Sequence, residues 1–382
     1  MQTRQAILAN TTGIEPALDE LAAIQPGLVL VFGAPRFFEC ADNLMSALRN
    51  AFPDAQFIGC STAGEISPRG THENACIVTA VRFDHAQVSS ASTSLADMGD
   101  SAAAGRRLAE KLKSDTLRAV MVFGQGVGIN GSALIAGMTE ILGNTLPITG
   151  GLAGDNGAFA RTWTLGAEGI SDRAVVAVGL HGDRLAFSHG SFGGWEPFGP
   201  ARRVTRCEGN ILHELDGEPA LTIYKRYLGD YAKDLPASGL LFPFAMVGED
   251  RNAVGLIRTI LGVDEANGSL ILAGDIRQDG YLKLMHASTD SLVDGAEAAA
   301  AAVVAMGGVP VGSGLAILVS CVGRKLVMGD RVDDEVDAVA AALGRDTVLT
   351  GFYSYGEISP FGPEASCRLH NQTMTITCLA ER

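Results

Sequence analysis

Apolar and polar positions along this chain alternate between two periods. Residues 27–33 read Gly-Leu-Val-Leu-Val-Phe-Gly, a continuous run that predicts a strand buried on both faces. Ala41, Leu44 and Leu48 then share one helical face, Phe57-Ile58 leads into a turn, and residues 76–83 predict a strand returning across the sheet. The succession recurs. Residues 117–124 are a strand; Leu134, Met138, Ile141 and Leu142 form a helix face with Ser132 as N-cap and Gly143 as stop. Leu146-Pro147-Ile148 enters a second turn, and residues 174–180 return. Near the end come a strand at 315–321, a helix face of Val336, Val339, Ala340 and Leu343 capped by Asp333 or Asp334, and a return at 373–379. A Ser/Thr run at 91–95 before an Ala-rich helix is echoed at 287–292, so residues 76–158 and 268–358 read as diverged copies. The expected fold is α/β, in two domains with internal pseudo-symmetric repeats of strand-helix-strand-turn-strand units.

The turns are the most repetitive part. Gly59-Cys60-Ser61-Thr62-Ala63-Gly64-Glu65-Ile66-Ser67-Pro68 and Gly351-Phe352-Tyr353-Ser354-Tyr355-Gly356-Glu357-Ile358-Ser359-Pro360 agree at six of ten positions. Ala153-Gly154-Asp155 is a weaker third version. Each presents a carboxylate (Glu65, Asp155, Glu357) at the carboxyl end of a buried strand, where open α/β sheets bind ligands, and Tyr355 stands beside the last. Paired acids could divide proton-transfer roles, or each could accept backbone N–H groups within its own turn.

Residues 189–200 mix Gly, Pro and aromatics and predict a loop. A hairpin follows at 204–215, then a short helix with Leu221, Tyr224, Lys225 and Leu228 on one face, closed by Gly229. A domain boundary is placed near residue 200, giving domains 1–200 and 201–382. His189 opens the aromatic stretch of Phe192, Trp195 and Phe198, and His213 follows Ile211-Leu212. An imidazole beside large apolar rings is what an axial haem ligand needs; a structural histidine satisfied by a hydrogen bond explains the same setting.

Composition narrows the classes. The 382 residues carry a formal charge of −14 with pI near 4.9, which argues against nucleic acid and anionic membrane surfaces as partners. Seven scattered cysteines fit reduced, buried thiols better than a disulfide framework. Cys367-x-x-His370 has metal-like spacing without a second pair, and Cys60 would be a nucleophile only beside a cation, a role its counterpart Phe352 cannot share. Gly124-Gln125-Gly126-Val127-Gly128 follows a strand but lacks the third glycine of a dinucleotide loop and the Lys-Ser/Thr of a P-loop. No secretory core opens the chain and no apolar run reaches about 18 residues, so a cytoplasmic location is expected.

The run from Gly59 to Ile66 resembles the signature of the FIST N-terminal domain. Ala220-Leu221-Thr222-Ile223-Tyr224-Lys225-Arg226-Tyr227-Leu228-Gly229 resembles the opening of the FIST C-terminal domain; Tyr355-Gly356-Glu357-Ile358 and His370-Asn371-Gln372-Thr373 resemble its close. The resemblance spans residues 27–380 and implies a non-enzymatic intracellular sensory module for small ligands, amino acids among them. Ser191-Phe192-Gly193-Gly194-Trp195, Phe198-Gly199-Pro200 and Leu235-Pro236-Ala237-Ser238-Gly239-Leu240 are similar to the bacterial nitric-oxide-sensing (NosP) subfamily, which implies haem and a partner histidine kinase. His189 as iron ligand, with His213 behind it and Phe192, Trp195 and Phe198 around the macrocycle, comes from the aromatic setting alone. No output module follows, so the signal is expected to pass to another protein; homo-oligomerisation stays open. In order of preference the readings are a haem-based gas sensor, a haem-free amino-acid module held by Glu65, Asp155 and Glu357, and an enzyme using Cys60 or the paired acids.

Overall fold

The computed structural model describes residues 1–248, 254–310, 312, 314–361 and 366–382. Each of three six-stranded sheets is built on one parallel pair: Leu28–Gly33 with Gln56–Ser61, Leu117–Gly124 with Ile148–Leu152, and Leu315–Cys321 with Val348–Ser354. In each, a return strand (Cys76–Arg82, Ala174–His181 or Met374–Glu381) runs antiparallel beside the first member of the pair. An edge strand lies beyond it: Gln2–Leu8, Gln87–Ser94 or Leu185–Phe192.

The remaining edge of every sheet is filled by a hairpin from another. Thr164–Gly166 and Gly169–Ser171 complete the first sheet, Gly356–Phe361 and Ser366–His370 the second, Glu65–Ser67 and Gly70–His72 the third. Each acidic turn thus carries the chain out of its own sheet and into a neighbour's. The motif's leading glycine makes the parallel pairs possible. Gly59, Gly150 and Gly351 lie opposite Val31, Val122 and Leu318, and a Cβ at each would come within 1.9 Å of that partner's carbonyl oxygen. The inner faces meet in one core where the rings of Phe32, Phe123 and Phe352 stand 4.8–5.6 Å apart. Helices such as Ala41–Ala51, Gly131–Leu142, Thr289–Ala305 and Asp333–Leu343 cover outer faces with their apolar stripes.

A fourth, eight-stranded antiparallel sheet lies between residues 196 and 286, inserted after the edge strand Leu185–Phe192 and before the helix Thr289–Ala305. It has its own core, with Val204, Leu212, Tyr224, Phe244 and Leu270 around the helix Ala220–Leu228. Because of this insertion, the strand Tyr281–His286 belongs to the fourth sheet, while its apparent counterpart Gln87–Ser94 belongs to the second. The division into 76–158 and 268–358 is therefore not the one the sheets follow; they divide the chain between Arg82 and Gln87 and between His181 and Leu185. Strands from both sides of residue 200 pair within the second and third sheets.

Three local expectations change. Residues 189–200 are mostly strand, Leu185–Phe192 and Glu196–Glu208, because ladders with Met374–Glu381 and with Tyr281–His286 override the local Gly and Pro content. The cap of Gly131–Leu142 is Asn130, whose side chain accepts from the Ala133 N–H, rather than Ser132. Asp333 does not cap its helix; its carboxylate accepts from the N–H and hydroxyl of Thr71, tying the third sheet's hairpin to the helix.

Candidate functional site

The three acidic turns converge. The Ala63 N–H donates to Tyr353 O, Gly154 N–H to Ser61 O, and Tyr355 N–H to Leu152 O, so backbone bonds run from turn to turn. Packing there leaves little room: a Cβ on Gly154 would sit 2.6 Å from the Ala63 nitrogen. The Glu65 carboxylate is fully buried and accepts from the Thr62 hydroxyl and from the Ala75 N–H at 3.0 Å. Glu357 is fully buried too; it accepts from the Ser354 hydroxyl at 2.8 Å and from the N–H and hydroxyl of Thr373 at 3.1 and 2.9 Å. Ala75 and Thr373 both immediately precede a return strand, so each carboxylate fastens its turn to the last strand of its own unit. Asp155 accepts from the N–H groups of Phe159, Ala160 and Arg161 and from the Tyr355 hydroxyl. Tyr355, stacked on Phe159, also accepts from the N–H of Gly157.

Burial dominates the electrostatics of these acids. It pushes Glu65 up to about 7 and Glu357 up to about 8, against the lowering effect of their donors. Hydrogen bonds account for every oxygen of Glu65 and Glu357, but not as the within-turn reading had it: the turns supply only the Thr62 and Ser354 hydroxyls, and the backbone N–H donors, Ala75 and Thr373, lie outside them. Cys60 is fully buried, and desolvation pushes its thiol well above the ordinary value, the opposite of an activated nucleophile.

The residues read as a haem pocket are dispersed. His189 lies in the third sheet opposite Thr377, with its ring 6.0 Å from Phe187. His213 is on the strand Ile211–Leu215 of the fourth sheet, and its Nδ1 is buried without a partner among the described residues. Phe198 is 40% exposed and packs edge-on against Tyr227 and His286. Only Phe192 and Trp195 share a space, a cavity of about 180 Å³. That is below the roughly 300–1,000 Å³ of pockets for drug-sized ligands, and neither His189 nor His213 lines it. These residues do not fit haem. Among the described residues no group of three His, Cys, Asp or Glu side chains is placed to hold a metal ion.

This cavity is the better-formed site. It lies at the seam between the fourth sheet and the three-sheet body, lined by Ser191, Trp195, Gly255, Ile257, His370 and Thr373 among others. The Trp195 Nε1 donates to Gln372 O at 2.8 Å, which fixes the indole as a wall. The Ser191 hydroxyl is buried without a partner among the described residues. Burial pushes His370 down to about 4, so its ring is neutral at pH 7, with Nε2 3.1 Å from Ser359 O. A buried ion pair supports the wall from behind. Arg324 and Glu335 are both inaccessible and 2.7 Å apart; Glu335 also accepts from Tyr353 and Ser320, and Arg324 donates to the carbonyls of Gly193 and Leu292. Sequence reasoning missed His370 as a cavity residue and missed Arg324, Lys325 and Glu335 altogether. Lys325 donates to Ala63 O at 2.7 Å, placing a cation against the first acidic turn. The signal available was the pair Arg324-Lys325 three residues after the buried strand Leu315–Cys321, where the other units have Arg36-Phe37 and Val127-Gly128.

Buried turns that knit three sheets, with a small cavity where an inserted sheet meets them, define a two-part α/β protein with a ligand-sized seam. Residues 27–218 match the FIST N domain and residues 220–360 the FIST C domain; the chain belongs to the FIST family, whose domains are sensory signal-transduction modules. An uncharacterized protein of Mycobacterium tuberculosis is 26% identical over 361 residues, 90% of this chain and 89% of its own. An uncharacterized protein of Methanocaldococcus jannaschii is 29% identical over 207 residues, 50% of this chain; the chain spans only 38% of that relative's length. A solved cyanuric acid hydrolase from A. caulinodans is similar at a TM-score of 0.40 and 10% identity, covering 100% of this chain and 99% of that one. Among the described residues no helix is long and apolar enough to cross a membrane.

Proposed function

We propose that this protein is a non-enzymatic sensor that binds a small metabolite of amino-acid size in the seam cavity at Trp195 and His370 and reports to a separate protein, for which the sequence resemblance implies a histidine kinase. The observation that carries the reading is the cavity itself: about 180 Å³, with one aromatic wall, a neutral imidazole and an unsatisfied buried hydroxyl. Such a mix of apolar surface and a few placed polar groups is what small-ligand sites use, and domain seams are where they concentrate. The seam also gives binding a mechanical consequence, because an occupant touches the fourth sheet at Ile257 and the body at His370 together. It favours whichever relative arrangement it binds better.

A thermal-shift and calorimetric screen of amino acids against the full chain tests this. The expected result is saturable binding of at least one, lost in Trp195→Ala and weakened in Ser191→Ala. Binding that survives both substitutions, or no binding by any amino acid, rejects the assignment.

A further inference from the structure

On the other side of the strand Val254–Arg258 lies a second cavity, of about 190 Å³, sharing Leu256 with the first. Its charged wall is Arg258, only 4% exposed. The guanidinium donates through Nε to Asp275 O at 3.0 Å and through Nη1 to Ile257 O and Leu369 O at 3.2 Å. All three acceptors are neutral carbonyls, and among the described residues no ion pair to Arg258 is formed. A buried charge is ordinarily paired, because desolvation is costly. Burial pushes Arg258 down only to about 10, so it is cationic at neutral pH, with the Asp275 carboxylate acting on it through the field alone. One oxygen of Asp275 is already engaged by the Asn130 amide.

Two further observations point the same way. The Ser132 hydroxyl, in the first turn of the helix Gly131–Leu142, is buried in this cavity wall without a partner among the described residues. Ser132 heads the face of that helix, with Ile135, Ala136 and Thr139 below it, that lines the cavity. Gly274 leaves the meeting point of these groups open: a methyl there would lie 3.0 Å from the Arg258 guanidinium carbon and 3.1 Å from the Ser132 hydroxyl. Arg368 adds a cation at the rim and Ile135, Leu256 and Leu369 are the aliphatic part of the wall, which Asp275, Thr139 and Cys367 also line. We infer that this cavity is a binding site for a short-chain aliphatic monocarboxylate, its carboxylate held by Arg258 and Ser132 and its hydrocarbon tail against Ile135, Leu256 and Leu369.

The site is independent of the metabolite cavity in its key residues, so the two stand or fall separately. Sodium butyrate and propionate, inorganic phosphate and valine are titrated into the full chain by calorimetry at constant ionic strength and pH 7. Butyrate is expected to bind saturably, and Trp195→Ala to leave that binding intact. Ser132→Ala removes a hydroxyl with no described partner, so the free protein keeps its melting temperature while butyrate affinity falls roughly tenfold or more, as expected for a lost hydrogen bond to a charged group. Gly274→Ala crowds the guanidinium and abolishes the response. The proposal is overturned if butyrate does no more than chloride, if phosphate, or valine in the Trp195→Ala background, binds as well as butyrate, or if the affinity is unchanged in both Ser132→Ala and Gly274→Ala.

Discussion

Glu357→Gln should flatten the pH dependence of stability above neutrality. Burial raises the folded-state pKa of Glu357 to about 8 and of Glu65 to about 7, against 4.5 for an ordinary glutamate carboxyl. Between the unfolded and folded values the native state therefore holds protons that the unfolded chain has released, and stability falls as pH rises. The window matters. Burial lowers His370 to about 4, so below about 6.5 the unfolded chain gains a proton there that the native state refuses, and stability rises with pH. Above about 8 the buried thiols begin to contribute, because their folded values are raised above the ordinary one. From pH 6.5 to 8 the two glutamates lower stability, while His370 and the likewise lowered His72, His181 and His189 offset part of that loss at the lower end of the window. At about 1.4 kcal/mol per proton per pH unit, Glu357 accounts for a loss of about 2 kcal/mol and Glu65 for about 0.7 kcal/mol. Urea unfolding at closely spaced pH values measures it. Glu357→Gln should lose about 2 kcal/mol less than wild type across the window, and Glu65→Gln only about 0.7 kcal/mol less. A wild-type profile that is level or climbs between pH 6.5 and 8, or a Glu357→Gln slope equal to wild type, would refute the assignment of buried, protonated acids.

Arg324→Met leaves Glu335 buried and uncompensated, so unfolding free energy should drop by about 3–5 kcal/mol in urea, and the double substitution with Glu335→Met should recover part of it. Gly351→Ala drives a Cβ to within 1.9 Å of Leu318 O; a loss of about 3 kcal/mol or more, or no soluble protein, is expected, whereas a wild-type melting temperature would contradict the close approach. Haem added to the purified chain should give no Soret band distinct from free haem, and a bound-haem band that His189→Ala removes would restore the haem pocket.

What the sequence disclosed was what short windows contain. The strands 117–124 and 315–321 are visible because each is a mostly apolar run, interrupted only by Arg118 and by Ser320, and Gly143 and Gly344 are visible as stops because helix ends favour glycine there. The hairpin exchange was not visible, since Gly70–His72 has no apolar pattern and owes its place to a sheet whose other strands come from residues beyond 185. The strand at His189 was hidden for the same reason: its partner is Thr377. The acidic turns were legible as turns, and the choice between chemistry and hydrogen bonding needed Ala75 and Thr373, which are far along the chain. Arg258 is least legible of all. Nothing about a lone arginine after Gly255-Leu256-Ile257 distinguishes a solvated end from a cation buried against another sheet.

Thr373 joins the two themes of the molecule. Its N–H and hydroxyl hold the Glu357 carboxylate, and the same residue lines the metabolite cavity. Glu357 begins the hairpin that the third unit lends to the second sheet, so this contact fastens one sheet's turn to another's edge. An occupant that draws the Thr373 hydroxyl to itself takes a donor from Glu357. Losing a donor disfavours the ionised form, so the Glu357 pKa moves up from about 8 and the protein takes up protons on binding near that pH. Calorimetric titrations at pH 8 in buffers of different ionisation enthalpy read this directly. Proton uptake that disappears in Glu357→Gln while affinity is retained makes Thr373 the link between cavity and sheet exchange; binding without proton exchange places the ligand away from Thr373 and breaks the link.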